Sequence, residues 1–324
     1  MSRRDARGAV SDPWRDDPYV IPFSGGVLRN RLGLRTHRAL EEAETRLAAA
    51  REVELRAAGL PRPPFSLDTL RGIHRQLFQD VYDWAGEPRT TPLSKVDDPA
   101  PFAPTREIAP RAARAFAAYA AAGEAATGPG SSRAAFVAAG ARLLAEVNSV
   151  HPFREGNGRT QRLLLEASGE HAGHPLDFRG TTKERNAVAS IDAHRGRDPS
   201  GLVRLLDEAA EPRRVEALTR LLRALRDNGV RSWNDLYVAT TVAGQTYAGA
   251  MGGRAGSDFF VRVPGDWLAV GDARDAPAHA LPGEPVRFTA TLFVPSAAPS
   301  PAPAPRGADP DPAPRARRGA GPSP

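Results

Sequence analysis

From about Asp17 to about Asp227 the apolar residues of this chain return every three or four positions, whereas after Ser232 they fall into short separate runs. That change of period constrains the fold most, because an amphipathic helix and a half-buried strand need different spacings. Leu40, Ala43, Leu47 and Ala50 carry a first stripe that stops near Gly59. Ser66 stands where an N-cap would open a second helix, with Leu70, Ile73, Leu77 and Phe78 on one face. Further stripes cover 109–122, then 133–150 through Phe136, Ala139, Leu143, Leu144 and Val147. Others start at Leu163 and at Leu202. Between Gly86 and Pro104 the proline-rich stretch GEPRTTPLSKVDDPAPFAP has no helical stripe and reads as an irregular excursion or short hairpin. The fold class expected is therefore mainly α, a helical bundle over residues 17–227 with one non-helical insertion.

The runs DLYVATT, TYAGAM, DFFVRV, WLAV and VRFTATLF, separated by Gly, Pro and Asp, predict a small β-barrel-like domain over 232–294, OB-like or SH3-like. Residues 1–16 are polar and charged and are expected to form a disordered leader. Residues 295–324 hold Pro, Ala, Arg and Ser with no large apolar side chain, so a disordered tail is expected there. The chain has no cysteine, which excludes disulfides, thiolate zinc sites and cysteine nucleophiles. It has no run of eighteen apolar residues and no apolar segment near residue 1, so no membrane partner is expected and the compartment expected is the cytoplasm. Lys95 and Lys183 are the only lysines, so the net charge of +6 rests on arginine. Four arginines after Pro305 without interleaved aromatics read as a solvated tail, and nucleic acid is not an expected partner.

One stretch carries chemistry: His151-Pro-Phe-Arg-Glu-Gly-Asn-Gly-Arg-Thr-Gln-Arg162. It lies between two helical stripes and so forms a loop that feeds a helix N-terminus. Gly156 and Gly158 permit backbone conformations closed to other residues. Successive amides in such a turn, with the helix dipole behind them, make an anion site. Arg159 and Arg162, three apart, reach the same side of the first turn. Glu155 at the rim is a carboxylate of the kind magnesium prefers beside phosphates, and His151 supplies an imidazole, the side chain that ordinarily titrates near neutrality. Taken singly these residues are ordinary: a Gly-Asn-Gly turn is usually a connector, a histidine at a helix end is usually structural, and Phe153 is an apolar plug. Together they fit one task. There is no Gly-x-x-x-x-Gly-Lys-[Ser/Thr] loop, and Gln161 occupies the third glycine's place of a Gly-x-Gly-x-x-Gly motif. His171 and His174, three apart after Gly169, read as a surface turn, and Tyr82 and Trp84 as core.

The stretch resembles the signature His-x-Phe-x-[Asp/Glu]-Gly-Asn-Gly-Arg-x-x-Arg of the Fic (filamentation induced by cAMP) family at every fixed position. VLRNRLG at 27–33, HRQLFQDVYDWAGEPRT at 74–90 and ASIDAHRGRDPSGLVRLL at 189–206 extend the resemblance over about two thirds of the chain. It implies a Fic-like helical fold with a β-hairpin flap, and transfer of AMP from ATP to a tyrosine, threonine or serine hydroxyl of a target protein. His151 would be the base and Glu155 would bind Mg2+. Gly156, Asn157 and Gly158 would cradle the phosphates, Arg159 would hold the phosphate chain, and Arg162 would pair with the γ-phosphate. Ser94 and Lys95 would be the flap positions that meet the target as an added strand. Many family members restrain themselves with a helix carrying [Ser/Thr]-x-x-x-Glu-[Gly/Asn]. Glu155 is the only glutamate here followed by Gly or Asn, and His151 stands four before it, so the sequence contains no copy. This resembles the toxin-like subgroup whose inhibitory helix is a separate small antitoxin, and whose targets resemble the ATPase subunits of DNA gyrase and topoisomerase IV. The alternatives are transfer of another phosphorylated moiety, or a non-catalytic nucleic-acid-binding module.

Overall fold

The computed structural model describes residues 14–93, 101–196, 198–265 and 267–291. Most of the expected leader, all of the expected tail, and the flap positions Ser94 and Lys95 lie outside these residues. Nine α-helices occur among those described: α1 His37–Ala58, α2 Leu67–Phe78, α3 Ile108–Ala121, α4 Glu124–Thr127, α5 Arg133–Val150, α6 Asn157–Ala172, α7 Lys183–Gly196, α8 Ser200–Ala209 and α9 Pro212–Asp227. Local chemistry sets their ends. The hydroxyls of Thr36, Ser66 and Ser132 accept the N–H of Ala39, Thr69 and Ala135, and Ser66 and Thr69 complete a capping box. Gly59, at φ 94°, stops α1 where the sequence places the break.

Helix α5 is buried nearly all round, as its apolar residues on several faces require. Ala139, Leu143 and Val147 face a core shared with Leu70, Ile73, Leu77 and Phe78 of α2, and Leu163 and Leu164 of α6. Phe136, Val137, Ala141 and Leu144 face a second core with Leu202, Leu205 and Leu206 of α8. Gly140 lets α8 approach closely: a Cβ there would stand 3.3 Å from Leu206.

The second part is a five-stranded sheet of order β1-β4-β3-β2-β5, formed by Tyr237–Thr240, Thr246–Ala255, Asp258–Val263, Trp267–Asp272 and Pro285–Thr289. The β2–β3–β4 meander and the β2–β5 pair are antiparallel, while β1 runs parallel to β4 with Tyr237 opposite Trp267. Residues of all five strands, Ala239, Tyr247, Met251, Phe259, Val261, Trp267, Ala269, Val286 and Phe288 among them, enter one core. The pairing is that of a mixed five-stranded sheet with β1 and β5 at its two ends, and one face of it gathers this core. Strand β4 shows why WLAV is apolar without alternation. Trp267 and Ala269 point into the sheet's core, whereas Leu268 and Val270 pack on Ala217, Leu218, Leu221 and Leu222 of α9.

An ionic network joins the sheet to the helices. Glu208 on α8 accepts from Arg185 (3.2 Å) and from the N–H and hydroxyl of Thr240 (3.2 and 2.9 Å), and Arg204 lies 3.5 Å away. Arg185 also meets the Tyr237 hydroxyl, and Arg204 meets the Thr240 carbonyl. Burial would raise the Glu208 carboxyl, but Arg185, Arg204 and Arg214 together hold it below the usual carboxylate range.

Candidate active site

Helix α5 ends on His151, whose N–H closes the last turn on Val147 (2.9 Å) while its backbone takes the left-handed conformation, φ 48° and ψ 64°. A histidine there costs about 1–2 kcal/mol, so the surroundings must hold it. The imidazole stacks on Phe102, with ring centroids 3.8 Å apart and planes 13° from parallel.

The loop that follows is held from beneath. Phe153 is buried against the ring of His74 at 4.0 Å. The Asn157 side chain accepts the Phe153 N–H (3.0 Å) and donates to its carbonyl (2.8 Å). His74 Nδ1 accepts the Gly86 N–H at 2.7 Å, which leaves the ring proton on Nε2 to donate to the Glu155 carbonyl at 2.9 Å. Burial pushes His74 down to about 4, so the ring is neutral and this tautomer persists.

Gly156 is the N-cap of α6 at φ 82°, and a Cβ on it would stand 2.4 Å from the Phe78 ring. Glycine is therefore required there twice, by conformation and by space. Gly158 differs. Its φ is ordinary, and a Cβ would meet only Arg162, at 3.7 Å, so the fold itself has room for a larger residue. Helix α6 has no side-chain cap, leaving its first-turn amides for an outside acceptor. Glu155 is exposed at the rim, and its Oε1 accepts the Gly156 N–H at 2.9 Å.

Arg159 pairs with Glu44 of α1, which also accepts the Tyr82 hydroxyl, and its guanidinium lies over the Phe78 ring at 4.8 Å. Arg162 makes no hydrogen bond or ion pair within the described residues; burial and Arg159 lower its pKa. It lines a cavity of about 560 Å³ with Glu52, Arg56, Glu166, Asp177 and Arg179, in which Arg56 already pairs with both glutamates.

His151, Glu155, Gly156, Gly158, Arg159 and Arg162 thus lie along one turn and the helix it opens. The Asn157 side chain is committed to Phe153, so its share of an anion cradle falls to the main-chain N–H. The sequence reading does not find His74, Glu44 or the supporting role of Tyr82. His74 leaves a signal, since it shares the apolar face of α2 with Leu70, Ile73, Leu77 and Phe78. Glu44 leaves none, since it is one of many acidic positions on α1.

A helix start without a side-chain cap, one loop after a histidine that closes the preceding helix, is an arrangement that could receive a phosphate group. The comparisons make it specific. The Fic/DOC family model matches residues 64–168. The chain is 35% identical over 169 residues to a probable protein adenylyltransferase Fic of Escherichia coli K12, covering 52% of this chain and 80% of that one. Over 181 residues it is 37% identical to the probable protein adenylyltransferase y4lH of Sinorhizobium fredii, covering 56% and 90%. The chain belongs to the Fic/DOC family. It is also 30% identical over 292 residues to a protein adenylyltransferase of Bartonella henselae, covering 84% of this chain but about half, 52%, of that relative. Among solved structures, the type IV secretion system effector protein BepA matches with TM-score 0.76 and 29% identity over 85% of this chain and 96% of that one. A Fic domain of a Bartonella quintana effector with bound ADP matches with TM-score 0.52 and 31% identity over 59% and 93%.

Proposed function

We propose that this chain transfers AMP from ATP to a hydroxyl of a protein target. The observation that carries the reading is the uncapped start of α6, where Gly158 lacks a side chain the fold has room for, one turn from His151. The amides of that turn and Arg159 and Arg162 hold the triphosphate, and orientation in line is the main contribution of such a site. His151 takes the proton of the acceptor hydroxyl as its oxygen bonds the α-phosphorus. The α–β phosphoanhydride bond breaks, and pyrophosphate departs with its electron pair. Glu155, whose carboxylate uses one oxygen on Gly156 and faces solvent, suits Mg2+, which needs few protein oxygens beside phosphates and would neutralise their charge when bound. Arg159 leaves part of its contact with Glu44 to the nucleotide, while the Phe78 ring keeps the guanidinium in place.

Two partners belong to the same proposal through the family resemblance: an ATPase subunit of DNA gyrase or topoisomerase IV as acceptor, and a small antitoxin supplying the inhibitory glutamate. Arg162, with no carboxylate of its own at bonding distance among the described residues and a cavity beside it, offers that glutamate a place.

The test is incubation of the chain with lysate and ATP labelled at the α- or the γ-position. Protein-bound label from the α-position alone is expected, reduced about 10²–10⁴-fold in His151→Ala. Label from the γ-position would replace the reading with phosphorylation.

A further inference from the structure

Arg89 sits on the proline-rich stretch after α2, only 2% exposed, with no carboxylate partner among the described residues. Burial pulls its pKa below the ordinary arginine value. Its fork donates instead to carbonyls from two separate parts of the chain. Nε bonds His151 (2.9 Å), Nη1 bonds Thr91 (2.8 Å), and Nη2 bonds Ala103 and, at 3.3 Å, Val150. The Arg89 N–H adds a bond to the Pro152 carbonyl at 2.8 Å. Thr91 and Ala103 stand on the two arms of the flap stem, which is closed by the Phe102 N–H on the Leu93 carbonyl (3.2 Å) and tied to α5 by the Ala103 N–H on Ser149 (3.1 Å). Phe102, beside Ala103, carries the ring on which the His151 imidazole lies.

A buried guanidinium at the last carbonyls of α5 also complements the helix dipole, but any cation would do that. Four carbonyls spread over two segments call for the planar fork, which lysine's single ammonium cannot imitate. We infer that Arg89 is a positioning residue that fixes the register between the flap stem and the turn bearing His151. The imidazole, stacked on Phe102 of that stem, is thereby held in one place relative to the acceptor hydroxyl whose proton it takes. This inference rests on the adenylyl-transfer reading and deepens it.

The experiment compares wild type with Arg89→Lys and Arg89→Met in the full chain, with thermal unfolding followed in parallel. Arg89→Lys keeps the charge at the end of α5 and so keeps the fold. Amide exchange at Phe102 and Ala103 is expected to quicken at least about tenfold in both variants, and the His151 imidazole resonances are expected to move. Affinity for magnesium-ATP is expected to stay within about threefold. The rate of α-label transfer at saturating ATP is expected to fall about 10²-fold. Unchanged exchange at the flap stem, recovery of both exchange and transfer rate in Arg89→Lys, or a rate loss no larger than the loss of ATP affinity would overturn the assignment. A wild-type chain that transfers no AMP would defeat the transfer reading, while the exchange and resonance measurements would still decide whether Arg89 joins flap to turn.

Discussion

At the scale of single residues, the two glycines of the turn look alike in the sequence and are there for different reasons. Gly156 is fixed by the fold. Alanine in its place must adopt a left-handed backbone and push its Cβ to 2.4 Å from Phe78, so Gly156→Ala is expected to lose about 2–5 kcal/mol in urea unfolding. Gly158 is not fixed by the fold. Gly158→Ala is expected to unfold at the same or slightly higher urea, gaining under about 1 kcal/mol because it lies in the first turn of α6 and not in the helix interior. Equal losses for both would contradict the distinction. His74 adds a pH dependence with a definite sign. Its folded value is near 4 against the ordinary 6.5, so the unfolded chain binds its proton first as pH falls. The stability it contributes is complete above pH 6.5 and disappears between 6.5 and 4, by about 3 kcal/mol. Urea unfolding of wild type and His74→Gln across that range should show this extra slope in wild type only.

At the scale of elements, the helices are readable because their caps and stripes agree. Ser66 opens α2, Gly59 closes α1, and the stripe over 133–150 coincides with α5. Helix α6 starts at Asn157, six residues before its leucine run, because the glycine turn itself forms the first helical turn; the arginine spacing says so while apolar periodicity does not. The site residues were legible as a motif, and their placement on one turn follows from it. The groups that hold the motif in place were not legible: His74, Glu44 and Arg89 come from segments 60 or more residues away, and nothing local marks the pairing. The strands were visible, but the parallel pairing of β1 with β4 was not, since register between distant runs depends on the turns and on α9 behind them.

At the scale of the whole molecule, the sheet and the helical bundle share apolar and ionic contacts, with Leu268 and Val270 on α9 and Glu208 held among arginines. Removing that carboxylate leaves Arg185 and Arg204 buried without their charge partner. Glu208→Gln is therefore expected to cost about 3–5 kcal/mol in chemical denaturation, a loss that a purely solvent-exposed ion pair would not produce. The network also ties α8, which packs on Phe136, Val137, Ala141 and Leu144 of α5, to the sheet. At the C-terminal end of α5, the proposed function places a nucleotide on the start of α6 beside His151. Calorimetric titration of magnesium-ATP into wild type, His151→Ala and Gly158→Ala tests it most directly. Wild type and His151→Ala are predicted to bind alike, and Gly158→Ala about tenfold more weakly because its methyl group fills the cradle. Absence of binding to the folded wild-type chain, or undiminished binding to Gly158→Ala, would contradict it.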